Sequence, residues 1–394
     1  DCWSFAGPEG IHEVLVTQHK VMTKGLGYAG LRKLLGEGLI TTDAPTWASQ
    51  RQRLNPLFSP VATEDYAGAI YDAVETGVDE LAQQAAGGAT VDLGAAMLRM
   101  TMRVISKTAF GVDLAVGHQH VSDAFDYAFG YIAMSIIRLQ APLFVPTPGN
   151  LRHKREMAII EDFIEGLIDR AIAHPDATSM NGQIMKALEG NSRQMLRDEV
   201  ISLYFAGFET TARTMTFLMH LLGRYPEYRE RAREEARAFA RPDGSMAVLR
   251  QLPLCCELVN ETLRLYPPVA MMGRVPTADC EIAGNIVKAK SLVVIVPFLA
   301  HRDTRYWPEG DRFAPNPETP LPKRLTHKGA FIPFGSGPRV CLGKHFAMVE
   351  MAVATALLAS RFDWELEDAS EPELMFNGTI KPKNPLMARL TPAP

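Results

Sequence analysis

The sequence lacks a long uninterrupted apolar segment, a signal-peptide pattern and an excess of basic charge. None of its apolar runs reaches about 18 residues, the length that a membrane-spanning helix needs. The chain opens with Asp1 rather than methionine, so we expect a truncated N-terminus, and an absent preceding segment could still carry an anchor. A formal net charge of -4 argues against a general nucleic-acid binder, because phosphate binding needs a basic surplus.

Cysteine is scarce as well, with five residues in the whole chain. Their number is odd and their spacing irregular, which fits a reducing compartment better than a disulfide framework. We therefore predict a cytoplasmic protein. The five are Cys2, Cys255, Cys256, Cys280 and Cys341.

What the chain does have is length and apolar content, 394 residues of which 47% are hydrophobic, so it can bury a large core. Helical periodicity dominates from about residue 61 to 223, β-branched runs at 275–300 indicate a small sheet, and 345–362 restores a long apolar helix. No internal repeat or linker interrupts the pattern. We predict one domain over 1–394, mainly α with a small β region.

The segment FIPFGSGPRVCLG places Cys341 in a loop rich in glycine. Gly335, Gly337 and Gly343 permit backbone conformations closed to other residues, and a helix is predicted to start near Gly343. Free N–H groups and the helix dipole there would stabilise a thiolate, and Arg339 could pair with an anionic cofactor group. A lone cysteine is more often a buried, inert thiol. Zinc is disfavoured, since no second Cys or His lies at ligand spacing around Cys341.

Polar residues also interrupt an apolar helix in AGFETTA, residues 206–212. The glycine, the acid Glu209 and the alcohol Thr210 are costly there unless they are used. We predict a kink whose groove holds O₂ and water, with the acid relaying protons. A mere irregularity of the helix is the alternative.

Two further pairs have helical spacing. Glu261 and Arg264 lie three residues apart among leucines, which favours a buried ion pair over the more common surface pair. Trp47 and Arg51 lie four residues apart and share one helix face, although an arginine resting on a surface indole would give the same spacing.

Taken together, these motifs resemble those of the cytochrome P450 haem-thiolate monooxygenases. FIPFGSGPRVCLG resembles the family's cysteine-ligand loop, Phe-x-x-Gly-x-Arg-x-Cys-x-Gly, with Phe334, Gly337, Arg339, Cys341 and Gly343 in the fixed places. The resemblance implies that Cys341 is the metal ligand.

AGFETTA resembles the family's oxygen-activation motif and implies that Glu209 and Thr210 are catalytic. Glu261 and Arg264 resemble the family's Glu-x-x-Arg motif, and Arg312 resembles the arginine that completes a structural triad with them. The segment 376–385 looks like the family's C-terminal hairpin. The short lead into residues 12–20 departs from the family, because it lacks part of the N-terminal sheet region.

The resemblance implies haem propionates held by Trp47, Arg51, Arg274 and Arg339. The full set of implied cofactor contacts is Trp47, Arg51, Ala206, Arg274, Phe334, Arg339, Cys341, Gly343 and Ala347. The implied substrate pocket is lined by Leu39, Ile40, Thr41, Ala206, Val269, Ala270, Met271, Met272, Gly378 and Thr379.

In fold, the resemblance implies a single triangular domain of about a dozen helices around a buried haem b, iron protoporphyrin IX, of the soluble bacterial type. In function, it implies insertion of one atom of O₂ into a C–H or C=C group of a hydrophobic molecule such as a terpenoid, polyketide or fatty acid. Because the chain has no flavin or iron–sulfur motif, the NAD(P)H-derived electrons would come through a ferredoxin and its reductase.

Three alternatives stay open. A peroxide-using enzyme or an electron-independent haem-thiolate enzyme would keep Cys341 but would not need a proton relay at Glu209 and Thr210. A non-catalytic haem-binding protein would have no use for Thr210 either.

Overall fold

The computed structural model describes residues 1–25, 28–113, 119–137, 144–173 and 180–394. Helices make up most of this part of the chain and short strands form small sheets, which confirms the predicted fold class. Within these ranges no helix combines the length and the apolar character that crossing a membrane requires.

The helices are spread along the whole chain. They are α1 (Pro8–His12), α2 (Ala29–Leu35), α3 (Thr46–Leu54), α4 (Pro60–Glu64), α5 (Ala67–Gln84), α6 (Leu93–Phe110), α7 (Gln119–Ile137), α8 (Pro148–Ala173), α9 (Met180–Ala187), α10 (Arg193–Arg224), α11 (Pro226–Ala236), α12 (Ser245–Gln251), α13 (Pro253–Leu265), α14 (Pro297–Ala300), α15 (Leu321–Arg324) and α16 (Lys344–Arg361).

The strands form four small sheets, ordered β1-β7-β4-β2, β3-β11-β8, β5-β6 and β10-β9. The strands are β1 (Cys2–Phe5), β2 (Met22–Thr23), β3 (Thr90–Asp92), β4 (Met272–Pro276), β5 (Cys280–Ile282), β6 (Asn285–Val287), β7 (Leu292–Ile295), β8 (Phe362–Leu366), β9 (Leu374–Asn377), β10 (Thr379–Pro382) and β11 (Met387–Pro392). The sheet predicted at 275–300 and the hairpin predicted at 376–385 are both present. The N-terminal segment, expected to lack part of the family's sheet, supplies β1 and β2 of the four-stranded sheet.

Helix α10 forms the centre of the helical core. Ser192 caps its first turn, because the hydroxyl oxygen accepts a hydrogen bond from the N–H of Met195 at 3.3 Å. Nearly every side chain from there to the last turn is buried, and α6 is its main packing partner. A helix that is covered on all sides belongs to the interior of a large core. Its polar residues therefore need a specific explanation.

The cysteine loop lies between α15 and α16. Gly343 directly precedes α16, which confirms the predicted helix over 345–362 within one residue at each end. Helix α16 is buried along most of its length and packs against α5, α11 and α13, and also contacts α10. The cysteine loop is thereby attached to a helix that packs within the core and contacts α10.

Candidate active site

The loop around Cys341 is held by its own backbone. The N–H of Cys341 donates to the carbonyl oxygen of Phe334 at 2.8 Å, which closes a tight turn. Gly335 and Gly337 have φ of 72° and 69°, in the left-handed region that favours glycine. At Gly337 a Cβ would stand 2.2 Å from the carbonyl oxygen of Leu15, so the position has room only for glycine. Two of the loop glycines are therefore required by geometry.

The Cys341 thiol is exposed and at the same time surrounded by many protein atoms. Its surface is accessible, yet it lies so deep in the protein that burial is the largest influence on its thiol. Burial raises the pKa of Cys341 above its ordinary value, while the Gly343 N–H and the charges of Arg51 and Lys344 act in the opposite direction and do not outweigh it. The thiolate stabilisation expected from the sequence is thus incomplete in the chain alone. A metal ion that binds a thiol deprotonates it outright, so the position suits a metal-bound sulfur.

The residues predicted to hold propionates fall into two places. The Arg339 guanidinium lies 4.4 Å from the centre of the Trp47 ring and donates to the carbonyl oxygen of Thr42 and to Asp43, both at 2.9 Å. Arg51 lies near the sulfur instead, because its charge acts on Cys341. The structure therefore brings Trp47 to Arg339, and the role of each in binding a propionate remains a prediction.

A cluster of cations surrounds Lys24. The sequence motifs indicated Arg274 and Arg339 but neither Lys24 nor Arg32. Burial lowers the pKa of Lys24 to about 6, and Arg339, Arg274 and Arg32 lower it as well, whereas only Asp43 among its strongest neighbours raises it. The buried Nε of Arg32 has no hydrogen-bond partner. Four cations around one carboxylate leave an uncompensated positive charge, which is costly in the interior. We call Lys24, Arg32, Arg274 and Arg339 the cation cluster.

On α10, one face opens in the middle of the buried helix. Ala206, Gly207 and Thr210 are partly accessible, whereas their neighbours are buried. The Thr210 hydroxyl donates to the carbonyl oxygen of Ala206 at 2.8 Å. Helix α10 is continuous through this region, so a kink here does not interrupt the helix. A Cβ on Gly207 would stand 2.9 Å from the Ile105 side chain, so glycine at this position lets α10 lie close against α6.

Glu209 is buried and its carboxylate is fully engaged. Oε1 accepts hydrogen bonds from Nε of Arg213 at 2.9 Å and from the hydroxyl of Thr379 at 3.0 Å. Neither contact was predicted, although an arginine four residues after an acid is a spacing that allows an ion pair on a helix. A residue predicted as catalytic thereby touches one predicted to line the pocket.

The buried ion pair of α13 is present as predicted. Two guanidinium nitrogens of Arg264 donate to Glu261 at 2.8 and 2.9 Å, and both side chains are 3% exposed. Arg312 was predicted to complete a triad with this pair, and for its side chain the prediction is wrong. The exposed Arg312 guanidinium pairs with Glu309, and only the Arg312 carbonyl oxygen accepts a hydrogen bond from Arg264, at 2.7 Å. The proline-rich segment after Trp307 turns the Arg312 side chain outward while its backbone stays inside.

A second arginine–glutamate pair lies beside the first. Nη2 of Arg324 donates to the fully buried Glu257 at 2.5 Å, and the N–H groups of Asn316 and Leu321 donate to the same carboxylate. Glu257 precedes Glu261 by one helical turn, which is the only sequence signal that could have indicated it.

The predicted pocket residues come from separate elements and differ in exposure. Leu39, Thr41, Ala270 and Thr379 are buried, Ile40, Ala206, Val269 and Met272 are partly buried, and Met271 and Gly378 are exposed. Ala347 lies in the first turn of α16.

An aromatic side chain missing from the prediction, Phe129 of α7, lies against the hairpin turn. A Cβ on Gly378 would stand 2.2 Å from its ring, and its ring centre is 4.9 Å from that of Phe205 on α10. No motif in the sequence marks it.

Comparison with known proteins places these features in context. A family model described as Cytochrome P450 matches residues 4–390. A cyclooctat-9-en-7-ol 5-monooxygenase of Streptomyces melanosporofaciens is 29% identical over 91% of this chain and 79% of its own. A pentalenene oxygenase of Streptomyces avermitilis is 26% identical over 98% and 86%. A cytokinin hydroxylase of Arabidopsis thaliana is 28% identical over 98% and 77%, so the matches do not single out the bacterial type.

Solved structures share the fold. A cytochrome P450DA heme domain superposes with a TM-score of 0.84 at 21% identity, covering 99% of this chain and 88% of its own. A six-coordinated cytochrome P450 from Thermus thermophilus gives 0.77 at 24% identity, covering 98% and 92%.

Proposed function

Because the chain belongs to the cytochrome P450 family and is a P450 monooxygenase, we propose that it binds haem b through Cys341 and oxidises a hydrophobic small molecule. The observation that carries the proposal is the Cys341 thiol, which is accessible although protein atoms surround it so densely that burial dominates its electrostatics. When bound, a thiolate-ligated haem activates O₂ so that one oxygen atom enters a C–H or C=C group and the other leaves as water.

The donor set fits this cofactor on two counts. The loop offers one sulfur, and the cation cluster offers uncompensated positive charge for two carboxylates. Lys24, Arg274 and Arg339 would hold the propionates, with the Trp47 ring supporting the Arg339 guanidinium. Arg51 would act at the sulfur, where its positive charge favours the thiolate.

The partly accessible face of α10 would serve the chemistry. The Thr210 hydroxyl donates its proton to the carbonyl oxygen of Ala206, so the hydroxyl oxygen remains free to accept a hydrogen bond from a bound group. We propose that Glu209 and Thr210 deliver the protons that O₂ reduction consumes.

For the substrate we propose a terpenoid. Two bacterial relatives are named as oxygenases of cyclooctat-9-en-7-ol and pentalenene, and these names support the choice. Within this chain, Phe129 and Phe205 supply aromatic surface near Gly378, where an apolar ring system would bury favourable area. A polyketide or a fatty acid is a less favoured ligand for the same aromatic surface.

For the electron donor we propose a ferredoxin with an NAD(P)H-dependent reductase. Lys344 is exposed directly after the cysteine loop and would attract an acidic partner, and the exposed Arg53 of α3, which donates to Asn191, would add positive charge. His345, the next residue after Lys344, is half-buried and hydrogen-bonded to Ser245 at 3.0 Å, and burial lowers its pKa. We also propose the soluble bacterial type in a reducing cytoplasm, which the five free cysteines support.

The decisive experiment is the absorption spectrum of the haemin-loaded protein after reduction and addition of carbon monoxide. We expect the Soret band of thiolate ligation, and we expect Cys341→Ser to lose it. Cys2→Ser, an exposed cysteine in β1, is the matched control and should keep it. A wild-type protein that takes up no haemin, or a Cys341→Ser spectrum like that of the wild type, would contradict the proposal.

Substrate class is tested next with sesquiterpene hydrocarbons. A ligand that displaces water from the metal should shift the Soret band, and turnover under ¹⁸O₂ should place one labelled atom in the product. Incorporation of oxygen from water instead would rule out the reaction proposed.

A further inference from the structure

Five side chains from three elements are linked by hydrogen bonds into a chain whose two ends lie on the same strand. Lys381 of β10 donates to both carboxylate oxygens of Asp126 on α7, at 2.7 and 2.9 Å. Arg213 of α10 donates to Asp126 at 2.8 Å and to Glu209 at 2.9 Å. Thr379 of β10 donates to Glu209 at 3.0 Å, and the backbone of β10 from Thr379 to Lys381 completes the ring. We call these five residues the Glu209 ring.

The Glu209 ring compensates its own charges. It contains two carboxylates and two cations, and its inner members Glu209, Arg213 and Thr379 are buried. Burial opposes the charge of Arg213, but Glu209 and Asp126 raise its pKa above the ordinary value. In a low-dielectric interior such a network fixes the position of each member. A buried charge that loses its partner is neither paired nor hydrated, which is costly.

The ring ties the β9–β10 hairpin to α7 and α10 together. Thr379 and Lys381 lie two residues apart and so point to the same face of β10. The hairpin turn makes a second contact with α7, where Gly378 lies against Phe129, one turn of helix after Asp126. A molecule seated against this turn therefore contacts a unit whose other end is the Glu209 carboxylate.

We propose that the hairpin is a positioning element for the proton-carrying carboxylate, with Thr379 as the residue that transmits its position. This inference rests on the proposed function, in which Glu209 supplies protons for O₂ reduction. Glu209 cannot be placed by α10 alone, since half of its hydrogen bonds to Oε1 come from β10. Displacing the hairpin thereby changes the supply of protons without altering Cys341 or the cation cluster.

The test uses the haem-loaded protein with a plant-type ferredoxin, its reductase, NADPH and O₂, and no substrate. Each NADPH then passes two electrons to O₂, which takes up two protons and leaves as hydrogen peroxide. Thr379→Val removes the hydroxyl at nearly constant volume, and Lys381→Met breaks the far side of the ring. We expect NADPH oxidation to slow about three- to tenfold in each variant, with a larger ratio of rates in H₂O and D₂O.

Two controls separate positioning from a structural effect. Thr355→Val on α16 removes a buried hydroxyl that is bonded only to the carbonyl oxygen of Met351, and it should leave both quantities unchanged. Glu209→Gln combined with Thr379→Val should be no slower than Glu209→Gln alone, because Thr379 acts through the carboxylate.

A readout without turnover completes the test. Hydrogen exchange of the backbone N–H groups at 374–382 should be faster in Thr379→Val and Lys381→Met, and unchanged in Thr355→Val. Unchanged exchange, or an unchanged rate and isotope ratio in Thr379→Val, overturns the inference. Absence of the thiolate spectrum in the wild type would contradict the proposed function instead. The exchange data would then show whether the Glu209 ring holds the hairpin in place.

Discussion

Binding of the cofactor should take up a proton at Lys24. In the chain alone, burial and the neighbouring arginines lower the pKa of Lys24 from 10.5 to about 6, so the amine is mostly neutral at pH 7. At about 1.4 kcal/mol for each pKa unit, holding the charge there costs about 6 kcal/mol. Two carboxylates placed in the cation cluster remove most of that cost, because they pair with the ammonium group. Lys24 should then be charged when haem is bound.

The sign of the pH dependence follows from this difference. Between pH 6 and 10.5 the unfolded chain binds the Lys24 proton more tightly than the cofactor-free fold, so the stability of that fold rises with pH across this window. The affinity for haem depends on pH in the opposite sense, because the haem complex keeps the proton on Lys24. This affinity should fall as pH rises above about 6, by at most about tenfold per pH unit from this group.

The assay is the rate of haem transfer to an excess of apomyoglobin, measured at constant ionic strength from about pH 6 to pH 9. Lys24→Met should lose haem about ten- to a hundredfold faster near pH 6, because one charge-assisted hydrogen bond is worth about 1.5–3 kcal/mol. Its pH dependence should be flatter than that of the wild type. Lys33→Met, an exposed lysine on α2, is the matched control. Equal pH slopes in wild type and Lys24→Met would refute the reasoning.

Two further predictions concern stability. Arg264→Lys should lower the free energy of unfolding by about 3–5 kcal/mol, because lysine cannot replace the guanidinium fork that binds Glu261 and three carbonyl oxygens. Arg312→Lys should change the free energy of unfolding little. Chemical denaturation measures both. Glu199, whose carboxylate accepts the Leu39 N–H at 3.1 Å, has its pKa raised to about 7 by burial. The fold therefore binds its proton more tightly than the unfolded chain between pH 4.5 and 7, so its contribution to stability falls as pH rises, and Glu199→Gln should abolish that slope in unfolding midpoints.

The parts of the site that follow one another along the chain could be predicted from the sequence. Loop glycines, Cys341 and α16 form a continuous stretch, and the pair Glu261 and Arg264 has helical spacing among leucines. In each case local geometry requires the residue type, as the left-handed φ of Gly337 shows. The prediction for Arg312 was wrong because an irregular segment has no regular periodicity from which the direction of a side chain could be inferred.

The parts assembled from distant segments could not be predicted. Lys24 follows β2 and Arg32 lies on α2, and no local spacing relates them to each other or to Arg274 and Arg339, which the motifs did indicate. The same holds for Asp126 and Lys381, which meet only because α7 lies against β10. A charged residue on an amphipathic element is usually solvated, so its sequence context gives no reason to expect burial.

The two groups of buried charge in this protein differ in one respect that separates binding from positioning. The Glu209 ring balances two carboxylates against two cations, and every one of those charges has a partner within the chain. The cation cluster has four cations and one carboxylate, and it leaves the Nε of Arg32 without a partner. Buried charge that the chain does not compensate is stable only if something else compensates it, so the cluster is where an anionic ligand belongs. A self-compensated ring gains nothing from a ligand, and its value lies in holding one carboxylate in place beside Thr210.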